Sequence, residues 1–401
     1  MDLQRVILLT FYSTFSPLSG LGLIFSSGPG HLINMKSSVA FIQPLAALAI
    51  AGVVIPRQGI DTSLVDTAPS PTSVSIPIGP TVDSTSYDLS QITESATESP
   101  LPVITEPTTR GNIEARQTAC QPNPTGAGPS VTPDSDSAFV SNSAFATAAT
   151  AAPTPTGYNQ TFVNLNSRSQ AFGYLGFVIV DSYDTAGCAD QCNDVFQGCQ
   201  SFNIFFERDP VVAPARGCRD PPSTTNIKCV FWGGDLTAGT AVDNNGQFLV
   251  DFHVVVAGSN GYTKTAPPEV PGYEGEPTGN NTIDAPPQDT NGGRGGRGGG
   301  TYIGSFIFTD TFFNPQLCAA ACDSQTRYAL ANPPPRGQPQ ICRFFSTYLI
   351  YRNGEPVGQY CALYTRYYSP SFATNSGTRS GGDNIAVRNA FSYRSRRAPQ
   401  A

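Results

Sequence analysis

Hydrophobic and polar positions change their rhythm twice along this chain. From about Tyr158, aromatic and β-branched residues alternate with polar ones and turn residues recur at short intervals. That period-two texture predicts short strands. Phe172–Val180 reads as a strand or strand pair, Cys199–Phe206 as a second strand and Phe248–Ala257 as a third strand region. Before Tyr158 the texture differs. Residues 61–110 hold 19 Ser/Thr and 7 Pro, with one aromatic (Tyr87) and one basic residue (Arg110). Such a segment buries too little apolar surface to offset chain entropy. Residues 56–157 are therefore expected to form a disordered Ser/Thr/Pro/Ala-rich stalk. Residues 263–300, rich in Gly, Pro, Asn and Asp, predict a flexible linker that ends in the Arg/Gly run Gly292–Gly300.

The N-terminus reads as a targeting segment. Met35-Lys36-Ser37-Ser38 precedes the uncharged run Val39–Val54, with small residues at Ala49-Ile50-Ala51. A basic start, an apolar stretch and small residues make a secretory signal. Residues 1–55 are thus expected to be an over-long N-terminus plus a signal, with translation starting at Met35. The alternative is a membrane anchor; at about 18 residues, broken by Gln43 and Pro44, the run is marginal for a span. Cleavage would remove His31 and leave His253 as the sole histidine.

The cysteines reveal an internal duplication. Gly173–Ile179 precedes Cys188-Ala-Asp-Gln-Cys192, and Thr301–Ile307 precedes Cys318-Ala-Ala-Ala-Cys322, at offsets of 128 and 130. Cys199 then answers to Cys342, and Cys229 to Cys361, at offsets of 143 and 132. The drift comes from loops: repeat two carries its extra loop before the strand, repeat one after it. Each Cys-x3-Cys has a helix start ahead of it, Asp184-Thr185 in one repeat and Asn314-Pro315 in the other. Cysteines at i and i+4 share a helix face. Four cysteines in a module permit three connectivities. Zinc sites favour Cys-x2-Cys, often with His. The x3 spacing, the even count of ten and the signal favour disulfides, with no metal and no cofactor.

This framework resembles the PAN/apple family. The resemblance rests on the helical Cys188/Cys192 and Cys318/Cys322, on Cys199-Gln-Ser-Phe202 and Cys342-Arg-Phe-Phe345, and on Cys229-Val-Phe-Trp232 and Cys361-Ala-Leu-Tyr364. It covers roughly 170–262 and 300–393. It implies a curved antiparallel sheet around one helix, with the helix bonded to the sheet through Cys188–Cys229, Cys192–Cys199, Cys318–Cys361 and Cys322–Cys342. Cys120 and Cys218 lie outside the family framework and are expected to bond to each other. The resemblance also implies extracellular binding of protein or carbohydrate without catalysis, in tandem modules like those of secreted fungal proteins.

Composition narrows the chemistry. Charged residues are 13% of 401, the net charge is −7 and the pI is about 4.9. That offers no field for nucleic acid, and two arginines in the Arg/Gly run carry too little charge for an RNA-binding box. His253 is the one candidate base for a Ser or Cys nucleophile, and its alternating context predicts a half-buried or edge histidine. No phosphate-binding or dinucleotide glycine fingerprint follows a strand. Asp181, Asp184, Glu207, Asp209, Asp235 and Asp251 could supply a carboxylate pair for glycoside hydrolysis, although most sit beside turn residues. Tyr183, Phe312, Phe313, Tyr367 and Tyr368 are candidate exposed rings for a sugar platform, and Trp232 is expected in the core. Asn159 and Asn280 head glycosylation sequons.

The fold class expected is α+β: two small disulfide-stapled modules, each a curved antiparallel sheet packed on one helix, with long disordered segments. The modules are placed at 158–262 and 301–395, with a disordered tail at 396–401. The function expected is a secreted, non-catalytic adhesion or recognition protein for extracellular carbohydrate or protein at a cell wall or matrix. The alternatives are a secreted carbohydrate-active enzyme using carboxylates and a structural wall protein. No stable membrane span is expected.

Overall fold

The computed structural model describes residues 60–69, 76–79, 82–85, 87, 119–286, 300–309 and 311–396. The signal, the start at Met35, His31, Arg110, most of the Arg/Gly run and the tail after Arg396 lie outside the described residues.

The duplication is visible in strand order. The first lobe holds β2 (Tyr158–Leu165), β3 (Tyr174–Val180), β4 (Ser201–Pro210), β5 (Ser223–Trp232) and β8 (Val256–Lys264) in one antiparallel sheet, ordered β3-β5-β4-β8-β2. The second holds β9 (Tyr273–Gly279), β11 (Tyr302–Phe308), β12 (Phe344–Arg352), β13 (Glu355–Tyr364) and β16 (Asp383–Ser395), ordered β11-β13-β12-β16, with β9 also on β16. The five shared strands follow one order in both sheets, and Gly377–Ser380 adds a further strand against β16 in the second. β9 lies in the stretch expected to be linker. The correction is that Tyr273 and its neighbours pair with Ala390–Ser395 and close the second sheet as β2 closes the first.

Each sheet carries the expected helix. Asp184 caps Thr185–Asp194 by accepting from the Ala186 amide at 3.0 Å, and Asn314 caps Pro315–Ala331 by accepting from the Gln316 amide at 3.0 Å. The buried helix cysteines meet the sheet. Five pairs stand at disulfide distance, Cys188–Cys229, Cys192–Cys199, Cys318–Cys361, Cys322–Cys342 and Cys120–Cys218, with Cα separations of 5.9, 5.2, 5.5, 5.3 and 5.9 Å. No helix among the described residues is long and apolar enough to cross a membrane.

The described part of the expected stalk is not a free chain. Ser135 and Asn142 cap two short helices, Asp136–Val140 and Ser143–Ala151, whose Phe139 and Phe145 are buried against Phe206 and the helix side of the first sheet. Further upstream, the helix Thr62–Thr67 buries Leu64 and Val65 on the outer face of the second sheet, and Asp83–Ser84 (β1) extends the first sheet beside β3. Bulk composition hid these few well-spaced apolar residues. Phe248–Ala257 is likewise not one strand. Gln247–Leu249 (β6) and Phe252–Val254 (β7) form a hairpin that turns at Val250, where φ is +61°, before β8 begins.

Covering segments bury the central strands on both faces, so polar inward residues need partners. Ser201 Oγ donates to the Gly234 carbonyl at 2.5 Å, and Asn203 Nδ2 donates to Ser259 Oγ and the Asn260 carbonyl at 2.8 and 2.9 Å. The lobes also exchange rings. Phe172 of the first lobe packs into the helix-side core of the second, and Phe312 of the second packs into that of the first. Gly198 and Gly233 make room for Phe312: a Cβ at either would stand 2.0 and 2.3 Å from it.

Candidate functional site

The expected platform rings are largely covered. Phe312, Phe313 and Tyr368 are 4, 1 and 3% exposed, which corrects the expectation of an exposed set. Their aromatic surface is spent on packing, Phe312 across the lobe interface and Phe313 beside Phe391. Tyr183 is half-buried. It stacks on Phe206, and its hydroxyl donates to the Ile204 and Gly258 carbonyls. Tyr367 is likewise half-buried. Its hydroxyl donates to Glu276 at 2.9 Å, and the Arg394 guanidinium lies 4.9 Å from its ring. The two tyrosines are neighbours; Tyr183 and the two phenylalanines lie elsewhere. Trp232 is fully buried, as expected.

The most exposed large ring among the described residues is Phe248, at 68%. It sits on the β6–β7 hairpin. The sequence displayed it only as one apolar residue in a strand-like run. The turn that sets it apart falls at Val250, a β-branched residue that gives no turn signal in the sequence. Phe248 stacks flat on His253, with centroids 4.2 Å apart and planes 4° from parallel. His253 is fixed in turn. Its Nδ1 bonds Asp136 Oδ2 at 2.6 Å and its Nε2 bonds the Asn245 carbonyl at 3.0 Å. The His253 bond, followed by the Ser137 amide, holds the Asp136 carboxyl below the usual carboxylate range. The hairpin tip is tied as well. Arg219 Nε and Nη2 donate to the two carboxylate oxygens of Asp251 at 2.5 and 2.7 Å. Arg219 follows Cys218, whose bond to Cys120 anchors that loop. The result is an exposed ring on a fastened hairpin, with the stacked histidine bonded to the Asn245 carbonyl and the Asp251–Arg219 pair at the hairpin turn. Val242 and Val250 are exposed nearby in the chain.

His253 is half-buried, as expected. Both of its nitrogens are engaged, so neither faces a Ser or Cys nucleophile. The carboxylates are dispersed. Asp184 caps a helix, Asp251 pairs with Arg219, and Asp235 is buried and accepts from the Tyr351 hydroxyl at 3.3 Å. Burial pushes the Asp235 carboxyl up, against the pull of Arg388. Asp181 is exposed. Only Glu207 and Asp209 are close together, and both are fully buried, where no polysaccharide reaches them. No group of three His, Cys, Asp or Glu among the described residues is placed to hold a metal ion.

Asn159, on β2, and Asn280, in the turn after β9, are both exposed. Comparison with protein-family models, with curated proteins and with solved structures returns no match.

Proposed function

We propose that this chain is a secreted extracellular recognition protein of two PAN/apple-like modules, binding carbohydrate at a cell wall or matrix through the Phe248 hairpin. The observation that carries the reading is the exposed ring of Phe248, held flat by His253. An aromatic face matches the apolar face of a pyranose, and planar polar groups such as Arg219, Asp251 and Asn245 suit its hydroxyls. A ring already ordered loses little freedom when it binds. Five cysteine pairs at disulfide distance support an oxidising compartment. The exposed Asn159 and Asn280 are read as glycan carriers.

A polysaccharide and glycan array probed with the purified chain and with Phe248→Ala tests the reading. Binding lost in Phe248→Ala is expected. Binding unchanged by the substitution, or no glycan bound at all, rejects it. Protein is the second ligand class, favoured by the exposed apolar Val242 and Val250 close to Phe248 in the chain.

A further inference from the structure

Four polar side chains form a block on the outer face of the first sheet. Glu207 and Asp209 alternate along β4, Asn226 and Lys228 along β5, and Asn226 stands directly opposite Glu207. Glu207, Asp209 and Lys228 are 0% exposed. Lys228 Nζ is in contact with Glu207 Oε1. It lies 4.6 Å from the centroid of Phe177 and 3.4 Å from the Pro77 carbonyl. The other oxygen of Glu207 meets Arg168 Nη1 at 3.4 Å, while Arg168 holds Asp243 more closely, at 2.7 Å. Asp209 accepts from Asn226 Nδ2 at 2.6 Å through Oδ2, and its Oδ1 has no hydrogen-bond partner among the described residues. Burial, with Glu207 beside it, pushes the Asp209 carboxyl up to about 7.

An amino group touching a carboxyl group, with a second buried carboxyl alongside, contains the parts of a condensation. We propose that Lys228 and Glu207 are joined by an intramolecular isopeptide bond formed after folding, with Asp209 as the proton carrier. The lysine ammonium first passes its proton to the Glu207 carboxylate, which leaves a neutral amine and a neutral acid. Nζ then attacks Cδ. The new N–C bond forms as Asp209 gives its proton to the departing oxygen, and the C–O bond breaks. Asp209 takes a proton back from the nitrogen. One water leaves, Asp209 is restored, and no oxidant or other reactant is consumed.

The setting favours this direction. A buried ion pair carries the desolvation cost of two charges, and an amide carries neither charge. Arg168 stays balanced by Asp243 after the reaction. The strands already hold the reacting groups in contact, so little orientation remains to be gained. In the second lobe the equivalent pair is Tyr360 and Ile350, on strands of the same register. Neither can react, so one bond per chain is expected.

Peptide mapping by mass spectrometry of the purified full chain, reduced and deglycosylated, tests the proposal. The Glu207 and Lys228 peptides are expected as one branched species, lighter than their sum by one water, with Lys228 resistant to lysine-specific cleavage. Asp209→Asn leaves the amine and the acyl group in place and is expected to yield the two peptides separately at full mass. Unlinked peptides in the parent chain overturn the bond and leave a plain ion pair. A branch that persists undiminished in Asp209→Asn overturns the role of Asp209.

Discussion

The two lobes share one framework and differ in what fills its outer face. Phe205 opposes Lys228 in the first lobe, and Tyr348 opposes Tyr360 at the matching place in the second. Two residues along, Glu207 answers to Ile350. The first lobe therefore encloses a polar cluster of Arg168, Glu207, Lys228, Asp209 and Asp243. The second encloses Tyr302, Tyr348, Tyr360 and Tyr364. The helix sides are far more alike, each with two cysteines bonded to the sheet. The cysteine scaffold tolerates either filling because the disulfides and strand pairing set the backbone. What differs is sensitivity: apolar rings tolerate the loss of a neighbour better than a buried charge does.

The largest effect is expected from Lys228→Met alone, which removes the Lys228–Glu207 link and leaves Glu207 buried with only its 3.4 Å contact to Arg168. A loss of about 3–5 kcal/mol in denaturant unfolding is expected. Lys228→Met with Glu207→Leu imitates the second lobe and should recover much of it. If the double change costs more than the single, the comparison fails. Phe312→Ala comes next, at about 3–5 kcal/mol. Because the ring belongs to one lobe and packs in the other, protection from hydrogen exchange should fall in both.

Replacing Cys188 and Cys229 by alanine is expected to cost about 2–4 kcal/mol. Replacing Cys318 and Cys361 should cost a similar amount, because the sequence separations are 41 and 43. Unequal costs would separate lobes that the framework treats alike.

The Asp209 carboxyl also makes the stability of the first lobe depend on pH. Asp209 has a folded pKa of about 7 against an ordinary 3.8. The native state therefore binds the extra proton between those values, and this contribution is full at low pH and lost as pH rises from about 4 to about 7. Asp209→Asn should flatten that slope in unfolding measured across the range. Asp136, held low by His253, acts with the opposite sign. The smallest stability change is expected for Phe248→Ala, within about 0.5 kcal/mol as for other exposed positions.

Much of the framework was legible from residues alone. The Cys-x3-Cys spacing, Asp184 and Asn314 as helix caps, and the near-constant offsets between repeats are local signals, and local signals survive in sequence. The packing of Phe139, Phe145, Leu64 and Val65 was not legible. A few apolar residues in a Ser/Thr/Ala background look like a stalk until the surface that receives them is known. β9 was missed for a related reason: Tyr273–Gly279 carries three glycines and prolines in seven residues, and only its partner β16 makes it a strand. The platform rings failed because exposure is tertiary. Phe312 and Phe313 flank a helix start, as a ligand-facing pair could, yet the lobe interface consumes the first. Phe248 could be found only once the turn at Val250 placed its ring outside the sheet.

The claim of one duplicated framework is tested most directly by a non-reducing peptide map of the full chain. The account expects five linked pairs, with Cys188–Cys229 and Cys192–Cys199 in the first lobe mirrored by Cys318–Cys361 and Cys322–Cys342 in the second, and Cys120–Cys218 apart from both. Links between the lobes, free thiols at any of the eight repeat positions, or different connectivities in the two lobes would contradict it.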